Sequence, residues 1–245
     1  MFIYTELEFE TNPYKDLISG TTFEQIARGR QGAILVKPFN SLVPIVRTTT
    51  KYSNPAQKFT CEQFKLIEQI LLKTKDLDLD FNNGMIELYT CEYKSMGFHT
   101  DQALDLESGS YICLFSCYSN DKTTSLRKLV VKNKLTGEET NYTLRQNSII
   151  LFDIKTNSQY MHKIILDSSV SQDTWLGITL RKSNTYLDYS YPIPKFPDGT
   201  DLQSPDKELE KEFCRLKSIE NKQIEFSYPK INYSLSPSDW LHIKS

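Results

Sequence analysis

The sequence predicts a mainly antiparallel β protein with flanking helices, a sandwich or barrel of which the eight-stranded jelly roll is the common type. Three observations carry this. From about Gly84 onward, runs of strand length rich in β-branched and aromatic residues follow one another: "MIELYTCEY", "SYICLFSCY", "RKLVVKN", "ETNYTLR", "SIILFDI", "QYMHKIIL" and "TWLGITLRK". Turn chemistry separates them at Asn82-Asn83-Gly84, Leu135-Thr136-Gly137 and Thr156-Asn157. No helical pattern lies between them, so the crossover helices of a parallel sheet have no material.

The elements follow in order. The first sixty residues offer two short strands, "GAILVKPF" and "LVPIVRTTT", among turn signals at Ser19-Gly20, Gly29 and Asn54-Pro55. In "TCEQFKLIEQILLKTKDL" the residues Phe64, Leu66, Ile67, Ile70, Leu71 and Leu72 recur at helical spacing. Thr60 stands three positions before Gln63 as a capping box, so a helix is expected over about 60–77. After Arg181 a Tyr- and Pro-rich wrap leads to a charged helix, "DKELEKEFCRLKSIENK", whose charges read as a solvated face without chemistry. The expected organisation is one domain over 1–245: an N-terminal extension (1–83), a jelly-roll core (84–183) and a C-terminal wrap and helix (184–245).

Composition narrows the function. With 39% hydrophobic and 12% aromatic residues the chain is globular and not disordered. A formal charge of −2 excludes a surface that binds nucleic acid everywhere, though not a local basic face. The five cysteines, Cys61, Cys91, Cys113, Cys117 and Cys214, lack zinc-ribbon spacing and imply a reducing compartment. Cys113 and Cys117 fall in an apolar strand and read as buried thiols. The start reaches acidic residues within ten positions, unlike a signal peptide, and no apolar run approaches the ~20 residues of a membrane span. The expectation is a soluble, cytoplasmic protein.

The chemistry centres on His99-Thr100-Asp101, the one His-x-Asp in a chain with three histidines. On an extended segment, residues i and i+2 point to the same side, so this imidazole and carboxylate can address one point. His162 lies in a late strand, "QYMHKIIL", whereas His242 is in the tail. Alone, His-x-Asp reads as a polar turn and His162 as a satisfied core histidine. Together, two histidines and one carboxylate form the facial set of non-haem Fe(II) oxygenases, which leaves positions open on the metal. Arg181, at the end of "WLGITLRKS", is placed to hold a carboxylate through a bidentate pair, and Ser183 shares its face.

The pattern "HTD", then the histidine of "MHK", then "RKS", resembles the 2-oxoglutarate- and Fe(II)-dependent oxygenases over roughly 86–183. That resemblance implies a double-stranded β-helix, a jelly-roll or cupin-like core, with Fe(II) held by His99, Asp101 and His162. It also implies 2-oxoglutarate chelating the iron, its distal carboxylate paired with Arg181 and Ser183, and a donor hydroxyl from Tyr89 or Tyr93. Dioxygen is the other co-substrate. Asp101 stands where halogenating relatives carry a small residue, which favours oxygen insertion, either hydroxylation or demethylation. "GITLR" also resembles the ending of AlkB-like proteins, although Trp175 stands where that pattern has an arginine and its Asn-x-Tyr is absent around Leu88 to Glu92.

The primary substrate stays open between a small molecule, a protein side chain and nucleic acid. Arg28, Arg30, Lys37, Arg47, Lys51 and Lys58, interleaved with Phe39, Tyr52 and Phe59, carry the elements of a nucleic-acid lid. An ordinary surface with buried aromatics is the preferred reading of that stretch. "TTTKYSNPAQKF" has no role beyond a position suited to an entrance, and "LFSCY" has none. Two other classes remain: a catalytically silent jelly-roll binding protein, and a cupin-like metalloenzyme that does not use 2-oxoglutarate.

Overall fold

The computed structural model describes residues 1–166 and 173–244. In chain order its elements are β1 (Ile3–Glu6), α1 (Tyr14–Ile18), β2 (Glu24–Ala27), β3 (Arg30–Val36), β4 (Leu42–Pro44), β5 (Gln57–Lys58), α2 (Cys61–Lys73) and β6 (Asn83–Tyr89). There follow β7 (Tyr111–Tyr118), β8 (Arg127–Asn133), β9 (Glu139–Leu144), β10 (Ser148–Asp153), α3 (Ile154–Gln159), β11 (Tyr160–Leu166), β12 (Trp175–Arg181), β13 (Tyr186–Asp188) and α4 (Lys207–Lys222). A 3-10 turn, Pro237–Trp240, comes near the end.

The larger sheet runs β1-β10-β7-β12-β6-β3-β2, with β5 added beside β3, and the smaller runs β11-β8-β9. Residues 95–99 join the smaller sheet through bridges from Ser95 to Ile165 and from His99 to His162. Four strands, β6, β12, β7 and β10, therefore face three strands and a bridged segment, and the core is a double-stranded β-helix, the predicted fold. All the larger-sheet pairings are antiparallel except β3 with β5.

The strands read as nearly continuous apolar runs because the larger sheet is covered on both faces. Alternate residues go to opposite sides. On β7, Cys113, Phe115 and Cys117 join Ile86, Ile178 and the α2 residues Leu66 and Ile70 in an outer core. Ile112, Leu114 and Tyr118 instead join Leu129, Val131, Ile150, Phe152, Ile164 and Trp175 inside the barrel. Both of these cysteines are fully buried and free, as read from the sequence.

The capping box is present: Gln63 N–H donates to Thr60 Oγ1 (3.3 Å) and Thr60 N–H donates to Gln63 Oε1 (2.9 Å). The helix stops at Lys73, short of the expected 77, where the Thr74 hydroxyl donates to the Ile70 carbonyl (2.6 Å) and the backbone leaves helical geometry. Phe64 and Leu72 lie outside the buried stripe of Leu66, Ile67 and Ile70. A second difference is that Thr156-Asn157, expected as a turn, lies in the short helix α3. Asp153 caps it by accepting from Thr156 N–H (2.6 Å). A third concerns the residues before 84. They supply β1, β2, β3 and β5 to the larger sheet, with Ile3 opposite Leu151 and Ala33 opposite Ile86, and so are built into the core sheet.

The C-terminal wrap is tied down by a buried ion pair. Arg47 grips Asp105 through Nε and Nη2, down to 2.6 Å, and its Nη1 donates to the carbonyls of Ile231 (2.8 Å) and Tyr233 (3.2 Å). Nearby, the Ser234 hydroxyl donates to Asp239 Oδ2 (2.6 Å), and burial pushes Asp239 up to about 6. The folded state therefore holds more protons than the unfolded chain between about pH 4 and 6, so this group subtracts stability as pH rises through that window. Asp239→Asn is expected to flatten the slope and raise the denaturant midpoint at pH 7, measurable by urea melts at pH 4.5 and 7. Among the described residues no helix is long and apolar enough to cross a membrane.

Candidate metal centre

His99 and His162 sit opposite each other at a bridge in which each backbone N–H donates to the other's carbonyl (3.0 and 2.7 Å). The expected strand at His-x-Asp is thus reduced to one bridge, but that bridge sets the two imidazoles with ring centroids 4.5 Å apart. Asp101 Oδ1 lies 3.2 Å from His162 Nε2 and 3.7 Å from His99 Nε2. One ligand atom from each of the three residues lies within 4.8 Å of the others. His99 Nδ1 is 3.1 Å from the Gly97 carbonyl, which only accepts, so Nδ1 carries the proton and Nε2 keeps its lone pair toward the cluster.

The two oxygens of Asp101 have separate tasks. Oδ2 accepts from Arg181 Nε (2.9 Å) and Nη2 (2.6 Å), leaving Oδ1 toward the imidazoles. Burial acts to raise this carboxyl, but Arg181 and the two histidines outweigh it and hold Asp101 well below the usual carboxylate range. Burial, with His162 beside it, pushes His99 down to about 3. A charged carboxylate and neutral imidazole are the protonation states a metal requires.

The backbone carrying these ligands is clamped from two helices. Asp101 N–H donates to Asn157 Oδ1 (3.0 Å) while Asn157 Nδ2 donates to the Asp101 carbonyl (2.8 Å). Thr100 N–H donates to Asn221 Oδ1 (3.0 Å), Ala103 N–H donates to Glu220 Oε1 (2.8 Å), and Lys217 Nζ donates to the Thr100 carbonyl. Lys217 and Glu220 also pair at 2.7 Å. The charged face of α4, expected to be solvated, therefore holds the His-x-Asp segment, and Lys217 and Glu220 are buried. Asn157→Ala is expected to leave the strands intact but to weaken Fe(II) binding about 10- to 100-fold, as loss of a ligand's outer partner does. Anaerobic Fe(II) titration checks this, and wild-type affinity would remove the clamp's importance.

Beyond the triad lies a cavity of about 60 Å³ lined by Arg30, Glu87, Tyr89, Thr179 and Arg181 with apolar side chains such as Leu114, Leu129 and Ile164. Arg30 contacts Glu87 Oε1 at 2.5–2.7 Å, and the Tyr89 hydroxyl donates to Glu87 Oε2 (2.7 Å). Of the residues singled out in the sequence, His99, Asp101, His162, Arg181 and Tyr89 come together here. Tyr93 packs against Tyr89 with ring centroids 4.6 Å apart and does not line the cavity. Ser183 is set apart: its hydroxyl donates to carbonyls, chiefly that of Ile45 (2.6 Å), because β12 ends at Arg181 and face alternation ends with it. His242 lies against Tyr189.

The basic residues that a nucleic-acid lid would have needed do not share one face. Arg47 and Arg30 are inward, Arg28 pairs with Glu92 and Lys51 with Glu210 on the surface, and Tyr52 and Phe59 are buried. The preferred reading of that stretch holds for Tyr52 and Phe59 but not for Phe39, which is exposed. Sequence reasoning missed Glu87, Asn157, Lys217, Glu220 and Asn221. Glu87 alone carried a signal, a carboxylate two positions before Tyr89 on a strand whose face was expected to line a site.

No protein-family model and no curated protein matches this sequence. Among solved structures, that of OsALKBH1 is similar over 70% of this chain and 88% of the other, at 14% identity and a TM-score of 0.46. The resemblance in motif is met in the protein by the double-stranded β-helix and the convergence of its two histidines and one carboxylate.

Proposed function

We propose that the chain is an Fe(II)- and 2-oxoglutarate-dependent dioxygenase acting on a substrate whose class is open. The observation that carries this is the convergence of His99, Asp101 and His162 within 4.8 Å inside a double-stranded β-helix. Two imidazole nitrogens and one carboxylate oxygen suit Fe(II) and leave coordination positions for co-substrates. The charges of the cavity support a dianion as well. Arg30 and Arg181 balance Glu87 and Asp101, so a bound Fe(II) leaves two positive charges for the two carboxylates of 2-oxoglutarate to neutralise.

Iron and 2-oxoglutarate together supply oxidation by dioxygen: 2-oxoglutarate loses carbon dioxide to become succinate, taking one oxygen atom, and the other enters a C–H bond of the substrate. The chain's own residues supply the frame. Asp101 is kept charged and oriented by Arg181, His99 is fixed in one tautomer by the Gly97 carbonyl, and Ile112, Leu114, Leu129 and Phe152 keep water from the reacting centre.

A second reading, a cupin-like metalloenzyme that does not use 2-oxoglutarate, is favoured by the Glu87 carboxylate inside the cavity. One experiment separates them. Apoprotein mixed anaerobically with Fe(II) and 2-oxoglutarate is expected to develop the weak visible charge-transfer band of the chelate, and His162→Ala is expected to abolish it. Iron bound without the band supports the second reading. Neither iron nor band leaves a silent binding protein.

A further inference from the structure

Arg181 is engaged with Asp101 through Nε and Nη2, so the distal carboxylate of a diacid needs another cation. Arg30 is the other cation lining the cavity. Its Nε and Nη2 converge on a single oxygen of Glu87, and its Nη1 has only a long contact of 3.4 Å to the Tyr93 hydroxyl, so the guanidinium fork is incompletely matched.

Two glycines shape the space around this pair. Glu87 stands directly between Gly32 on β3 and Gly177 on β12, and paired residues share one side of the sheet. A Cβ on Gly177 would overlap the Trp175 indole, which lies over it with Nε1 donating to Ser116 Oγ (2.8 Å). A Cβ on Gly32 would come within 3.1 Å of the Tyr52 hydroxyl. Tyr52 is 2% exposed, and its hydroxyl has no hydrogen-bond partner among the described residues. Tyr52 is not among the residues lining the triad cavity, but it lies close enough to Arg30 and Glu87 for their charges to act on one another. A buried donor without an acceptor, near an arginine with unmatched N–H groups, suits a carboxylate. This level lies two residues, about 7 Å, along β12 from Thr179, which lines the same cavity near the triad.

Resting on the proposed function, we infer that Arg30 and Tyr52 hold the distal carboxylate of 2-oxoglutarate, in competition with the carboxylate of Glu87. The segment "TTTKYSNPAQKF" thereby gains a role, since Tyr52 carries its side chain inside. Glu87 sets the affinity by contesting Arg30, and Arg181 serves as a positioning residue for Asp101.

The test uses Fe(II)-loaded protein without oxygen, titrated with 2-oxoglutarate and with 2-oxopentanoate, which has the same chain length but no distal carboxylate. The visible band reads both. Wild type is expected to prefer 2-oxoglutarate at least tenfold. Tyr52→Phe is expected to weaken 2-oxoglutarate about tenfold, and Glu87→Gln to tighten it several-fold, with 2-oxopentanoate unmoved by either. The unpartnered hydroxyl makes Tyr52→Phe a mild change, and an unaltered denaturation midpoint verifies the fold. If both acids shift together, or the preference ignores both variants, the inference is overturned while the cosubstrate reading stands. If iron binds but neither acid gives a band, the cosubstrate reading fails and takes the inference with it.

Discussion

Asp101→Ala is expected to abolish Fe(II) binding and to destabilise the fold by about 3–5 kcal/mol, the cost of breaking a buried pair and leaving one charge unmatched. Both losses come from one side chain because its oxygens face different groups. Oδ1 lies toward His99 and His162, while Oδ2 accepts both bonds from Arg181, whose side chain is 7% exposed. Removing the carboxylate strands that guanidinium among apolar strands. The double variant Asp101→Ala with Arg181→Met is expected to recover much of the stability and none of the iron, because the orphaned charge goes while the ligand stays missing. Denaturant midpoints and metal content after anaerobic loading read the two effects separately. Iron at wild-type stoichiometry in the single variant would end the assignment of Asp101 as a ligand.

Arg47→Ala is the other large effect, also about 3–5 kcal/mol. Its partner Asp105 is completely buried, and the same guanidinium caps the carbonyls of Ile231 and Tyr233. The variant loses the ion pair and leaves buried acceptors without donors. The wrap after α4 is expected to loosen first, since those carbonyls belong to it. Limited proteolysis should then cut after residue 222 at protease levels that leave wild type intact. Arg47→Lys is expected to rescue little, because a single ammonium cannot serve the carboxylate and two carbonyls at once. Equal proteolysis of Arg47→Ala and wild type would show that the wrap is held by Ile231, Tyr233 and Leu235 packing on Phe213 and Leu216 alone.

How much could be read from the sequence depended on the kind of signal. The strands after residue 84 were legible because burial on both faces demands unbroken apolar runs, and β7 is the clearest case. His99, Asp101 and His162 were legible because histidine is scarce here and i, i+2 spacing has geometric meaning. The clamp on α4 was not. Lys217, Glu220 and Asn221 look like any solvated charged face, and their partners are backbone groups of Thr100 and Ala103, which leave no trace in residue type. Ser183 failed for a different reason, because the alternation that aligns it with Arg181 holds only while the strand continues. Arg181 was correctly placed near the triad, but its nearest anion is the triad's own carboxylate. The N-terminal strands were underestimated because β1 and β2 are four residues each and draw their stability from distant partners.

The bond from Thr100 to Asn221 also dictates an order of events during synthesis. Chains emerge from the ribosome N-terminus first, so His99 and Asp101 are made long before the helix that fixes their loop. Strand β1 must likewise wait for β10 before it can pair. The growing polypeptide therefore carries His99, Asp101 and His162 for an interval in which the loop of the first two lacks its partners on α4. The clamp from Lys217, Glu220 and Asn221 is thus the last part of the site to be made, and the loop of His99 and Asp101 gains those partners only when α4 follows it.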